Sequence, residues 1–216
     1  MKNIFKITVL IICVAGFFTS CDKNLKSEGL SQTTTYPEIT LTGGNFYLME
    51  VDTVPFVDPG VTAILHGKPV PVVTTGYADA MNTGLYFLKY TTLDETGQFK
   101  WSVDRKVLVV NQLPLTEDYS GTYTNAAGTL NRLVTKPADE LGWYLFSDSW
   151  AQDYPIPVEF VDLGTSLQVI PGSSPYGPFD GTVTYDPATN RLVFRITFTS
   201  GPNKGYTYSS TWTKKL

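Results

Sequence analysis

The sequence predicts an all-β protein, and three observations carry that prediction. Short runs rich in Val, Thr, Tyr and Phe alternate apolar with polar residues at a period of two. The 14 prolines and 18 glycines punctuate those runs. No stretch keeps a helical apolar period over three turns. From Pro37 onward the body is about 180 residues, enough for one large β domain or two small ones. The expected order is a small β-sandwich over 37–112, then an antiparallel β-sandwich or barrel over 113–216.

The N-terminus is of another kind. Lys2 and Lys6 give a positive start, and Ile7 to Phe18 is an apolar run too short for a transmembrane helix of roughly 20 residues. Phe18-Thr19-Ser20-Cys21 follows and resembles the lipobox of bacterial lipoproteins, with small residues before a cysteine that is acylated after cleavage. Residues 1–21 are therefore expected to be a lipoprotein signal peptide, with Cys21 the lipidated residue and the membrane its partner. Cys13 falls inside the apolar run, so cleavage leaves no disulfide and stability rests on packed cores. Residues 22–36, rich in Ser, Thr, Gly and charge, read as a disordered tether. Without Lys2 and Lys6 the basic residues number 14 against 20 acidic, a net charge of −6. That balance, with no basic cluster, argues against nucleic acid or anionic lipid headgroups as partners of the body.

Strands are expected at Glu38–Thr42, Asn45–Val51, Val61–Leu65, Val70–Thr74, Gly84–Thr91 and Lys100–Val110. In the last, Trp101, Val103, Val107 and Val109 alternate with Ser102, Asp104 and Lys106, and Trp101 is assigned to the core. Arg105 breaks the apolar side and is expected near a strand end or an exposed part. Asn111 to Asp118 reads as the joint between domains, since it contains a proline and precedes a fresh aromatic run at Tyr119. Near the C-terminus Leu192, Phe194, Ile196 and Phe198 share one face, and Tyr206, Tyr208 and Trp212 repeat the alternation. With Val183 and Tyr185 on a partner strand, they predict a three-stranded meander over about 181–214 with Trp212 in the core.

Pro37-Glu38-Ile39-Thr40-Leu41-Thr42-Gly43, Phe56-Val57-Asp58-Pro59-Gly60-Val61, Gly84-Leu85-Tyr86 with Tyr90, and Arg105-Lys106-Val107-Leu108-Val109-Val110 follow one another in order. This series resembles the immunoglobulin-like repeat of many bacterial surface proteins. It departs from that pattern at Asp94-Glu95-Thr96-Gly97, where a small residue upstream is missing. The whole arrangement resembles two-domain lipoproteins of Bacteroidetes, with an Ig-like domain after the tether and a C-terminal β domain of unassigned function. The resemblance implies an outer-membrane lipoprotein, surface-exposed or facing the periplasm, and suggests the company of glycan-uptake machinery.

The material for catalysis is thin. His66 is the one histidine, set in a probable turn, and no Gly-x-Ser-x-Gly, P-loop or dinucleotide fingerprint occurs. No catalytic residue, metal ligand or cofactor is assigned. Glu140, Asp148, Asp153, Glu159 and Asp162 are the carboxylates a glycosidase would draw on. Asp94-Glu95 and Glu117-Asp118 are acidic pairs that calcium would need to gather from separate segments. The ligand-binding candidates are aromatic: Trp143, Trp150, Tyr154, Tyr176 and Phe179, with Asp153 to bond sugar hydroxyls. The same rings equally suit a core without disulfides. Asp52-Thr53-Val54 resembles a Bacteroidetes O-glycosylation acceptor, which would put Thr53 on the surface. The leading expectation is a non-enzymatic glycan-binding accessory. The alternative is a structural or assembly lipoprotein with an envelope protein as partner, and a glycoside hydrolase comes third.

Overall fold

The computed structural model of the chain describes residues 34–150 and 155–215, so Cys21, Asp153, Tyr154 and nearly all of the expected tether lie outside the described residues. All regular secondary structure among the described residues is strand. The first seven are β1 (Glu38–Leu41), β2 (Phe46–Glu50), β3 (Val61–Leu65), β4 (Lys68–Pro69), β5 (Val73–Thr75), β6 (Gly84–Leu93) and β7 (Lys100–Val110). Then come β8 (Gly121–Asn125), β9 (Asn131–Thr135), β10 (Trp143–Phe146), β11 (Val158–Asp162) and β12 (Leu167–Val169). The last are β13 (Gly172–Ser174), β14 (Gly177–Asp186), β15 (Arg191–Phe198) and β16 (Thr207–Lys214). Tyr36–Leu216 packs as one unit.

β1 to β7 make two facing sheets, ordered β1-β3-β4 and β2-β7-β6-β5. Leu41 and Val61 from the first pack on Leu88, Tyr90, Val107 and Val109 from the second. β2 runs parallel to β7, with Tyr47 beside Val107. The β3–β4 connection is the pair His66-Gly67, both at positive φ (50° and 75°), the geometry of a tight hairpin turn whose twist matches the strands.

Two expectations for β7 are corrected. Arg105 is neither exposed nor at a strand end; it is completely buried. It donates hydrogen bonds to the carbonyls of Thr42 (2.8 Å), Gly60 (3.0 Å) and Gly44 (3.3 Å) and to the Asp58 carboxylate. The Tyr90 hydroxyl donates to the same carboxylate at 3.0 Å, and the rings of Tyr47 and Tyr90 each lie 5.4 Å from the guanidinium. A buried charge needs this full set of partners, and the Asp58-Pro59-Gly60 turn supplies two of the four acceptors. Trp101 is no core residue; it is 45% exposed, because the sandwich ends before it.

β8 to β16 form a single nine-stranded antiparallel sheet, ordered β12-β11-β10-β9-β8-β16-β15-β14-β13. The first and last strands of this region pair, with Trp212 opposite Asn125 and Lys214 opposite Tyr123. The sheet curls until β12 lies against β14, making a barrel with an open seam. Its interior is filled by side chains including Tyr123, Phe146, Phe160, Phe194 and Trp212. Phe146 stacks on Phe194 with ring centres 5.0 Å apart. The expected meander is present as β14, β15 and β16, and Trp212 is fully buried as predicted.

Sandwich and barrel share a third core. Leu108 and Val110 of β7 meet Trp143, Val161 and Leu163, with Phe46, Leu48 and Leu115 packed around them. Covered on one face by the sandwich and on the other by this joint, Val107 to Val110 are buried without alternation. Asn111 adds two hydrogen bonds across the joint, from its backbone N–H to the Leu163 carbonyl (2.8 Å) and from its amide to Thr165 Oγ1 (2.6 Å).

Candidate functional site

The barrel has two ends. Trp143, Asp162, Tyr185 and Lys214 stand near the joint; Phe146, Val158, Gly177 and Thr207 are at the far end. The aromatic candidates divide between them. Trp143 begins β10 and is only 4% exposed, sealed in the joint core with the Lys106 ammonium 4.1 Å from its ring. Phe179 points into the barrel and is buried, so close to Gly172 that a Cβ there would meet its ring. Neither ring presents a face to solvent.

Trp150 and Tyr176 do come together at the far end, edge to face with centres 4.7 Å apart. Trp150 also stacks on Tyr208 at 5.4 Å. The indole therefore has aromatic neighbours on two sides, and Trp150 and Tyr176 pack against the barrel core. The loop is held by Asp148, which is buried, ion-paired with Arg132 at 2.7 Å, and accepts the N–H groups of Trp150 and Ile156. The ring with most free surface here is Tyr206, 53% exposed. Its place in a strand alternation had concealed it.

One concavity of the barrel is at the other end, along the seam. β13 pairs only with Gly177–Phe179, so among the described residues β14 has an unpartnered outer edge from Asp180 to Asp186. β12 ends the sheet on the opposite side, and Pro171, just beyond it, has no N–H to extend the ladder. Between these edges is a cavity of about 520 Å³. Thr165, Ser166, Thr182 and Thr184 bring hydroxyls to it, Glu117 a carboxylate and Tyr185 a phenol ring. Alternating along β14, Val183 points inward and is buried while Thr182 and Thr184 are exposed.

A peptide strand does not fit this gap. An inserted strand would hold its two neighbours about 9.5 Å apart, twice the ladder spacing, whereas Cα atoms of β12 and β14 approach within 8 Å.

Beside the cavity, Asp162 faces Leu167 across β11 and β12. It is buried, and that burial raises its carboxyl above the ordinary carboxylate value; a 2.8 Å hydrogen bond from the Gly164 N–H works against the rise, and the Glu117 charge adds to it. The Tyr144 hydroxyl, donating to the Glu117 carbonyl at 3.2 Å, is pushed up to about 12, first by burial and then by Asp118 and Asp162. Of the other carboxylates, Glu140 pairs with Lys106 at 2.7 Å and Glu159 is exposed. Asp94 caps its own loop, accepting the N–H groups of Gln98 and Phe99, and Asp118 pairs with Lys136 at 2.9 Å. Among the described residues no three His, Cys, Asp or Glu side chains stand together as a metal site. Thr53 is exposed.

No family model matches the chain, and no curated protein resembles it. Among solved structures it is similar to the crystal structure of a lipoprotein from Bacteroides thetaiotaomicron, at 21% identity and a TM-score of 0.37. The match covers 83% of this chain and all of the other.

Proposed function

We propose that the protein is a lipid-anchored, non-enzymatic binding protein of the bacterial outer membrane that takes a glycan at the barrel seam. The seam cavity carries this reading. Sugars offer many hydroxyls and a few C–H faces, and four hydroxyl side chains, a carboxylate and a phenol ring line the cavity. Two free strand edges add backbone donors and acceptors that have no other strand to serve. The anchor rests on the N-terminal sequence, where a positive start and short apolar run lead to Thr19-Ser20-Cys21.

The experiment is calorimetric titration of the mature chain with a panel of oligosaccharides. A ligand bound by the native protein should lose at least about tenfold in affinity in Glu117→Gln combined with Thr184→Val, since each removes a bond to a hydroxyl (about 1 kcal/mol or more). Trp150→Ala should leave binding unchanged. Loss in Trp150→Ala alone would move the site to the aromatic far end, and release of new reducing ends would make the protein a hydrolase using Glu117 and Asp162.

A further inference from the structure

The sandwich has a free pole, opposite the joint. β7 spans the distance between them, eleven residues or roughly 35 Å at strand rise. Three features converge at this pole. The β6–β7 loop ends there, stiffened by Asp94, whose carboxylate accepts the Thr96 hydroxyl as well as two backbone N–H groups. The β3–β4 turn ends there too, tied to that loop by His66 and Glu95 at 3.3 Å. The chain itself enters the body at the same place, and Tyr36 lays its ring against Trp101, centres 5.3 Å apart.

The pole is apolar and aromatic. Tyr36, Leu93, Phe99 and Trp101 are all exposed, although nothing in the sandwich requires such residues outside. Lys100 stands opposite Leu93 beside the acidic Asp94-Glu95 pair of the loop, and it has no ion-pair partner among the described residues. Large aromatic side chains with a lysine beside them are the composition that settles at a membrane interface. The rings sit at headgroup depth and the ammonium group reaches phosphates.

From this placement we infer that the pole bearing Tyr36, Phe99 and Trp101 rests on the phospholipid surface, so that the protein stands on its membrane rather than swinging from it. The inference rests on the lipid anchor proposed above. Cys21 lies fifteen positions before Tyr36, a reach of at most about 50 Å, and Tyr36 is at this face. A single aromatic patch binds membrane weakly, but an anchor that holds it within tens of ångströms makes docking intramolecular.

The test uses the full chain, processed in a Gram-negative host and reconstituted into phosphatidylethanolamine–phosphatidylglycerol vesicles containing brominated lipid. Trp143 and Trp212 are buried and Trp150 lies at the far end of the barrel, so the quenching by bromine that is lost in Trp101→Phe reports on Trp101. Quenching should fall at least twofold in Trp101→Phe and should weaken in Phe99→Ser with Lys100→Glu. Equal quenching in the native protein and Trp101→Phe, with Cys21 shown by mass to be acylated, overturns the inference alone. An unacylated Cys21 overturns the anchor and the inference together.

Discussion

At the scale of the residue, two buried charges behave oppositely. Arg105 is fully partnered, and removing it strands Asp58 and the carbonyls of Thr42 and Gly60. Arg105→Met should lower unfolding free energy by about 3 to 5 kcal/mol, read from urea denaturation, because it leaves the other charge uncompensated. Asp162 is buried with, among the described residues, one hydrogen bond to its carboxylate and no cation beside it, so folding raises its pKa. A raised carboxyl contributes stability below the unfolded value of 3.8 and loses it as pH climbs through the folded value. Asp162→Asn keeps an acceptor for Gly164 and should therefore raise Tm at neutral pH. That gain should shrink toward zero as pH falls below 3.8. Neither environment was legible in sequence. Arg105 could be seen to break an apolar pattern, but its acceptors come from positions 42 to 60, and only the packing of two sheets brings them to it. Trp101 and Trp212 sit in similar alternations, which assign a side chain to a face without saying whether that face is covered.

At the scale of the element, the strands of the sandwich and of the last meander could be read closely, because alternation and turn residues are local signals. Asn190 shows how local. It holds positive φ at 53° in the β14–β15 turn and accepts the Tyr185 hydroxyl at 2.9 Å. Asn190→Ala should cost about 1 to 2 kcal/mol in denaturant unfolding, and Asn190→Gly clearly less, since glycine tolerates that backbone. The seam was not legible. It exists because β16 pairs with β8 across some ninety residues while neighbouring β12 and β13 stay apart. A cavity made by the absence of a pairing leaves no motif. Even Thr182 and Thr184, which line it, read as the solvent face of an ordinary strand.

At the scale of the whole molecule, the joint decides how the two sheet systems respond to stress. Trp143 joins Leu108 and Val110 to Val161 and Leu163, and Lys106, over its ring, reaches Glu140 in the barrel half. The prediction is that Trp143→Ala destabilises by about 3 to 5 kcal/mol and splits one calorimetric transition into two, as the sandwich and barrel lose their common core. A single, merely shifted transition would mean that the backbone bonds from Asn111 to Leu163 suffice to couple them. From sequence, Asn111–Asp118 read as a joint between two domains; in the structure the body packs as one unit across it. Its rigidity could not be read there, because a tryptophan plugging an interface and one lining a ligand site carry the same residue type.

β1 gives the molecule a mechanical property. It pairs antiparallel with β3 over four residues, Glu38 to Leu41, and just beyond it the Thr42 carbonyl is gripped by Arg105 of β7. A tug on the chain at Tyr36, with the barrel held by whatever it has bound, pulls β1 along its own axis. The ladder bonds lie across that axis, so they are sheared together rather than opened one by one, and the Arg105 clasp must fail with them. From there tension passes along β7 to the barrel. Force applied at the N-terminal end of the body therefore meets the fold along its most resistant direction.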